Sequence, residues 1–347
     1  MSLELIAAGA MVVSLTFYAL LGGADYGGGL WDLFALGARA PAQRQLIAAA
    51  IGPVWEANHV WLILVVVILF TAFPVAFSVI ATALHIPLTL LLIGIVLRGS
   101  AFTFRSYDVE RDDVQRRWGY IFSVASIATP VLLGITVGSL SSGAIRVENG
   151  IVVSGFVGPW LALFPFAVGF FALALFAFLA AVYLTLETDE AELREDFRRR
   201  ALVSGVAVGL LALTVFLLSE RSAPKVRAGL SESIWAVPLH LLTAVCAVGA
   251  FWTLWRRSYK WARLFAALQV SLILWGWALA QFPDIVVPDI TIMSAAAPRA
   301  TLRLMLAALA VGALLLFPSF YYLFRVFKGG TAFAPLEGRQ EKRQKEN

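Results

Sequence analysis

Nine apolar stretches, each close to the length of a membrane-crossing helix, divide this chain of 347 residues. They are read at 3–24, 54–73, 75–97, 118–140, 157–186, 201–219, 234–255, 262–282 and 302–324. A helix rises about 1.5 Å per residue, so about 20 apolar residues cross a hydrocarbon layer of about 30 Å. Backbone polar groups find no water at that depth and must bond within their own segment, which leaves helices as the structure these stretches can adopt. Only 14% of the residues are charged and 60% are hydrophobic, where a soluble domain carries about 25% charged residues. The expected fold is an all-α polytopic membrane protein with about nine transmembrane helices.

The basic residues give the orientation. With the N-terminus outside, 21 of the 27 Lys and Arg residues fall on the cytoplasmic side and 6 on the other. That asymmetry follows the positive-inside rule and places the C-terminus in the cytoplasm. The net charge of +5 is not read as a nucleic-acid footprint, because the basic residues punctuate apolar runs and form no patch. Glu4 precedes the first apolar run and no basic segment leads it, so the run reads as a spanning helix and not as a signal peptide. The single Cys246 excludes an internal disulfide and a cysteine-based metal site. The acidic-then-basic run from Glu187 to Arg200 suits a solvated helix extension, and residues 328–347 read as a charged cytoplasmic tail without a fold.

Polar groups inside apolar runs are costly unless they are paired or line a wet path. Gly52-Pro53-Val54-Trp55-Glu56-Ala57-Asn58-His59-Val60-Trp61 is the densest such cluster. Pro53 breaks the helix ladder, so a helix restarts near Val54 and carries Glu56 in the inner half of the membrane. Glu56 and His59, three apart, share a face, while Asn58 points elsewhere. The cluster fits a polar packing network between helices or a proton-conducting or ligand-contacting carboxylate. A second site, Gly22-Gly23-Ala24-Asp25-Tyr26-Gly27-Gly28-Gly29-Leu30-Trp31-Asp32, lacks the lysine of a phosphate loop. Its glycines permit close approach of a helix or ligand to the backbone. Asp25 falls at the cytoplasmic end of the first span, either as a helix-end carboxylate or as the start of a proton path with Glu56 and His59. Arg98 and Arg105 follow the third span, as membrane-end anchors or as partners for Asp25 or another subunit. Trp55, Asn58, Trp61, Arg98 and Arg105 together make a subunit-interface or structural cluster. Pro283 and Pro288 impose an extended outer loop after the eighth span.

There are three histidines, His59, His85 and His240. They are read at different depths, with His85 in a kinked third span, and so offer no haem or metal ligand set. No catalytic residue, cofactor ligand or metal site is assigned to this chain.

The segments GADYGGGLWDL, GPVWEANHVWLI, LRGSAFTFRS and GWALAQFPDIVVPDITI resemble subunit II of the cytochrome bd-type terminal quinol oxidases, closest to the cyanide-insensitive branch. The resemblance implies two four-helix bundles and one peripheral helix, placed at about 1–140, 157–283 and 300–327 within a single transmembrane domain. It implies a bacterial inner-membrane complex that oxidises quinol and reduces dioxygen to water. Haems b558, b595 and d are then expected in the partner, subunit I. Subunit II supports assembly, contributes to a proton path and can hold a structural quinone; a small single-helix subunit, membrane lipid and quinol complete the expected partners. The acid of the second motif is often Asp, and here it is Glu56. The alternative functional class is a secondary transporter or a proton- or cation-conducting protein; a structural membrane scaffold is a third reading.

Overall fold

The computed structural model describes residues 2–107 and 112–328, with side chains left undescribed at 105–107, 112–116 and 328. Among the described residues, nine helices are long and apolar enough to cross a membrane. These are α1 (Leu3–Leu33), α3 (Trp55–Ala72), α5 (His85–Tyr107), α6 (Asp112–Ser141), α7 (Leu163–Leu184), α8 (Ala191–Ser222), α10 (Ala236–Trp255), α11 (Tyr259–Gln281) and α12 (Arg299–Lys328). Three short helices join them: α2 (Ala40–Ile51), α4 (Pro74–Ala83) and α9 (Pro224–Glu232). The two small antiparallel ribbons are β1 (Val147–Glu148) with β2 (Ile151–Val152), and β3 (Asp284–Val286) with β4 (Ile290–Thr291). The expected tail at 328–347 lies outside the described residues, apart from the helical backbone of Lys328.

The third span is where the boundaries differ most from the sequence reading. The apolar run at 75–97 is two helices, and the spanning one starts at His85. Two prolines explain the shift. Pro74 opens α4, where its missing N–H costs nothing, and Pro87 falls in the first turn of α5. Leu84, buried between them, is the break. His85 therefore begins a helix, its Nδ1 2.9 Å from the Thr82 carbonyl, and does not sit at a kink within a span. Moving the helix by ten residues carries Arg98 into the bundle.

α1 continues nine residues past the expected end of the first span. The glycine motif is therefore helical, with its five glycines, Asp25, Tyr26, Trp31 and Asp32 buried. At about 1.5 Å per residue, its 31 residues exceed the hydrocarbon thickness by roughly half. α8 likewise extends back through the acidic-basic run to Ala191. The extended loop after α11 forms the β3–β4 ribbon, with Pro283 just before β3 and Pro288 in the turn between the two strands. Its Asp284 is buried and ion-paired with Lys225, and Val287 N–H donates to the Leu140 carbonyl at 3.0 Å.

α7 is apolar on all sides, as a helix enclosed by others must be. It packs against α1, α6, α8 and α11. α1 packs also against α3 and α6, α5 against α6, and α10 against α11, while α12 lies along α3 and α1 with little of its surface covered. One apolar core surrounds α1 and α7; a second lies at the end that carries both ribbons and contains Ile68, Phe73, Ile145 and Val286. α2 and the charged start of α8 close the opposite end.

Candidate functional site

The polar groups of α1, α3, α5 and α6 converge between those helices. Asn58 and Asp25 are both buried, and the Asn58 amide donates to Asp25 Oδ2 at 2.8 Å. On the same helix as Asp25, the Tyr18 hydroxyl donates to the Tyr26 hydroxyl at 3.1 Å. Tyr18, Gly22 and Tyr26 are spaced by four, so all three fall on one helix face. The His59 ring packs against both tyrosines and Trp55, with centroids 5.9–6.1 Å apart.

Arg98 is 1% exposed. Its guanidinium lies 4.6 Å from the centre of the Tyr26 ring and 5.3 Å from that of Phe122. Its Nε donates to Ser126 Oγ at 3.2 Å, and its Nη2 has no hydrogen-bond partner among the described residues. Arg98 is thus an interior cation stacked on aromatic faces, which Arg tolerates because its planar charge is weakly hydrated. Arg98 is therefore not the expected membrane-end anchor: α5 runs from His85 to Tyr107 and holds it mid-helix, inside the bundle. The side chain of Arg105 lies outside the described residues.

Glu56 and His59 do not share an environment. Glu56 is exposed on α3, whereas His59 faces the tyrosines and Asn58 faces Asp25. A spacing of three places two side chains about 60° apart on a helix, and the bundle wall falls between them. Trp61 is buried, stacked on Phe17 at 4.5 Å and against Phe317 and Phe320 of α12. Trp61, Asn58 and Arg98 therefore face the interior of this chain.

The glycines show why α1 can carry these groups. A Cβ at Gly27 would come within 2.0 Å of the Phe176 carbonyl oxygen, and one at Gly29 within 2.2 Å of Ser126 Oγ. Small residues let α1 press against α7 and α6, and that contact sets the position of Asp25 and Tyr26. Asp32 closes the glycine-rich motif, while Tyr18, Ser123 and Ser126 lie outside every segment the sequence singles out; Ser123 Oγ donates to Asp32 Oδ2 at 3.3 Å and extends the polar set toward the arginine-rich end. The four-residue spacing of Tyr18, Gly22 and Tyr26 was the available signal.

A cavity of about 380 Å³ reaches Asp25 and Asn58 from the arginine-rich end, the end closed by α2 and the start of α8, with Tyr183, Glu187 and Arg263 among its lining. Among the described residues, no group of three His, Cys, Asp or Glu could hold a metal ion. His240 is on α10, its Nδ1 2.7 Å from its own helix carbonyl at Ala236. With His59 packed among aromatic rings and His85 at the start of α5, the donor set does not fit an axially ligated haem.

The sequence profile of cytochrome bd terminal oxidase subunit II matches residues 3–327. The chain belongs to this family. It is 25% identical over 313 residues to the Escherichia coli (strain K12) cytochrome bd-I ubiquinol oxidase subunit 2, covering 82% of this chain and 81% of that protein. It is 23% identical over 321 residues to the Bacillus subtilis (strain 168) cytochrome bd ubiquinol oxidase subunit 2, covering 89% and 91%. Its fold matches a chain in the structure of bd oxidase from Geobacillus thermodenitrificans with a TM-score of 0.80, at 22% identity, over 95% of this chain and 100% of the other. As a bd-type subunit II, the protein is a multi-pass component of the bacterial inner membrane and of an oxidoreductase complex. Its partner is subunit I, which holds the haems. Family membership decides for the quinol oxidase against the transporter and scaffold readings.

Proposed function

We propose that this subunit II carries protons from the cytoplasm toward the haem-bearing partner and holds the complex together along the same polar column. The observation that carries the reading is the buried Asp25–Asn58 pair at 2.8 Å. It lies at the end of a cavity open toward the arginine-rich side and is followed by the tyrosine pair, His59 and Arg98. A carboxylate beside an amide and a set of hydroxyls in a dry bundle is a chain of proton donors and acceptors. In this reading Asp25 takes the proton from the cavity, His59 and the hydroxyls continue the path, and Glu56, on the exposed face of α3, meets subunit I. The N-terminus is periplasmic and the C-terminus cytoplasmic, as the distribution of Arg and Lys supports.

The partner carries haems b558, b595 and d, which supply the chemistry of quinol oxidation and dioxygen reduction. A structural quinone, a small single-helix subunit and bound lipid complete the complex. The helices form two groups of four, at about 1–140 and 157–283, with α12 outside them. The experiment is oxygen consumption and proton uptake by the purified complex with Asp25→Asn and Glu56→Ala, alongside a reduced-minus-oxidised spectrum. Slowed proton uptake with an unchanged haem spectrum is expected for each. Normal rates in both variants overturn the proton path.

A further inference from the structure

At the arginine-rich end a second cavity, of about 400 Å³, is separate from the polar column. It lies between the loop joining α1 to α2 and the charged start of α8, with Arg39, Gln43, Asp196, Arg199 and Arg200 among its lining. Three cations and one carboxylate therefore face it. The carboxylate is already satisfied: Arg39 grips Asp196 with two bonds of 2.8 Å, and the Gln43 amide donates a third at 2.8 Å. Arg200 is fixed by the Phe34 carbonyl at 3.0 Å and Gln43 Oε1 at 2.7 Å, while its Nη1 has no partner among the described residues. Arg199 is largely exposed and bonds Glu195 through Nε at 3.3 Å, which leaves its terminal amino groups outward. With Asp196 neutralised by Arg39, Arg199 and Arg200 leave positive charge in excess.

The surroundings of this cavity are apolar on the membrane side. Phe34 and Leu36 are exposed on its loop. On α8, exposed Arg199 is followed by exposed Val203, Val206 and Leu210. Spacings of four, three and four put all of them on one helix face. From Arg199 to Leu210 the helix rises about 16 Å, close to the half-thickness of a bilayer core. A guanidinium cavity thus caps an apolar stripe one leaflet long.

We infer that this cavity binds the phosphate headgroup of an anionic phospholipid, held by Arg199 and Arg200, with an acyl chain along Val203, Val206 and Leu210. Arginine suits the site because its planar fork matches phosphate oxygens, and a headgroup of net negative charge, with no cation of its own, answers the excess of positive charge. The site does not depend on the proton path.

The test uses the whole oxidase complex, purified through this chain, stripped of lipid in detergent and followed by native mass spectrometry. Phosphatidylglycerol, phosphatidylcholine and inorganic phosphate are titrated separately into the wild type, Arg199→Gln and Arg256→Gln. Arg256 is exposed at the same end but does not line the cavity. Phosphatidylglycerol should bind more tightly than phosphatidylcholine, and R199Q should weaken it about fivefold while R256Q leaves it unchanged. Equal binding of the two lipids, equal effects of the two substitutions, or unchanged binding in R199Q overturns the site. Inorganic phosphate that binds as tightly as the lipid overturns the lipid assignment in favour of a free phosphate.

Discussion

Replacing Gly27 by alanine adds one methyl group and should cost more than any other single-carbon change in α1. The added Cβ would lie 2.0 Å from the Phe176 carbonyl oxygen, 2.5 Å from its carbon and 2.7 Å from the Ala180 Cβ. A carbon and a carbonyl oxygen approach comfortably at about 3.3 Å, so α1 and α7 must part locally by about 1.3 Å. Both partners are backbone, and no side chain can rotate to relieve the contact. Overpacking of this kind costs about 1–3 kcal/mol, or roughly five- to 150-fold in an assembly equilibrium. The shift also moves Asp25 and Tyr26, which immediately precede Gly27, and with them the 2.8 Å bond from Asn58 to Asp25. Gly9→Ala is the control: it lies in the same helix, and a Cβ there meets nothing within 4 Å. That change should be neutral or slightly stabilising, because alanine favours a helix over glycine by about 1 kcal/mol. The assay is the yield of assembled, haem-containing complex and its melting in detergent, followed by haem absorbance. If G27A assembles and melts like G9A, the glycine motif is not a packing device.

Substitutions at three other positions probe the interior of the bundle. Asn58→Ala removes the 2.8 Å donor to Asp25 from a buried position, and should lower the stability of the complex by about 1–3 kcal/mol, read as a lower melting temperature. Trp61→Phe keeps an aromatic ring against Phe17 and Phe317 and removes an indole N–H that has no partner among the described residues. It should be close to neutral in melting, whereas Trp61→Ala should cost about 3–5 kcal/mol. Arg98→Lys keeps the charge but loses the flat stack on Tyr26 and Phe122. A loss of about 0.5–2 kcal/mol is expected, and a melting temperature equal to the wild type would show that a point charge suffices.

The sequence alone decided the membrane class, because an 18-residue apolar run leaves the backbone no alternative to a helix. It also decided the polar residues worth attention, Asp25, Asn58, His59 and Arg98, since such groups are rarely left in apolar runs without partners. Helix ends were less legible. Hydropathy does not distinguish residues 75–83, an apolar short helix, from the span that begins at His85. The two prolines mark the break only once Leu84 is seen buried between two helices. Glu56 and His59 show the limit of spacing arguments: 60° on a helix is a small difference in sequence terms, but it is the width of a bundle wall. Which side of that wall each residue occupies depends on where α1 lies, and α1 is placed by contacts between residues about 150 positions apart, Gly27 against Phe176. The pairing of Asp25 with Asn58 and the stacking of Arg98 on Tyr26 are products of that long-range packing. Local pattern determined what had to be buried, and only the tertiary structure decided what each buried group would face.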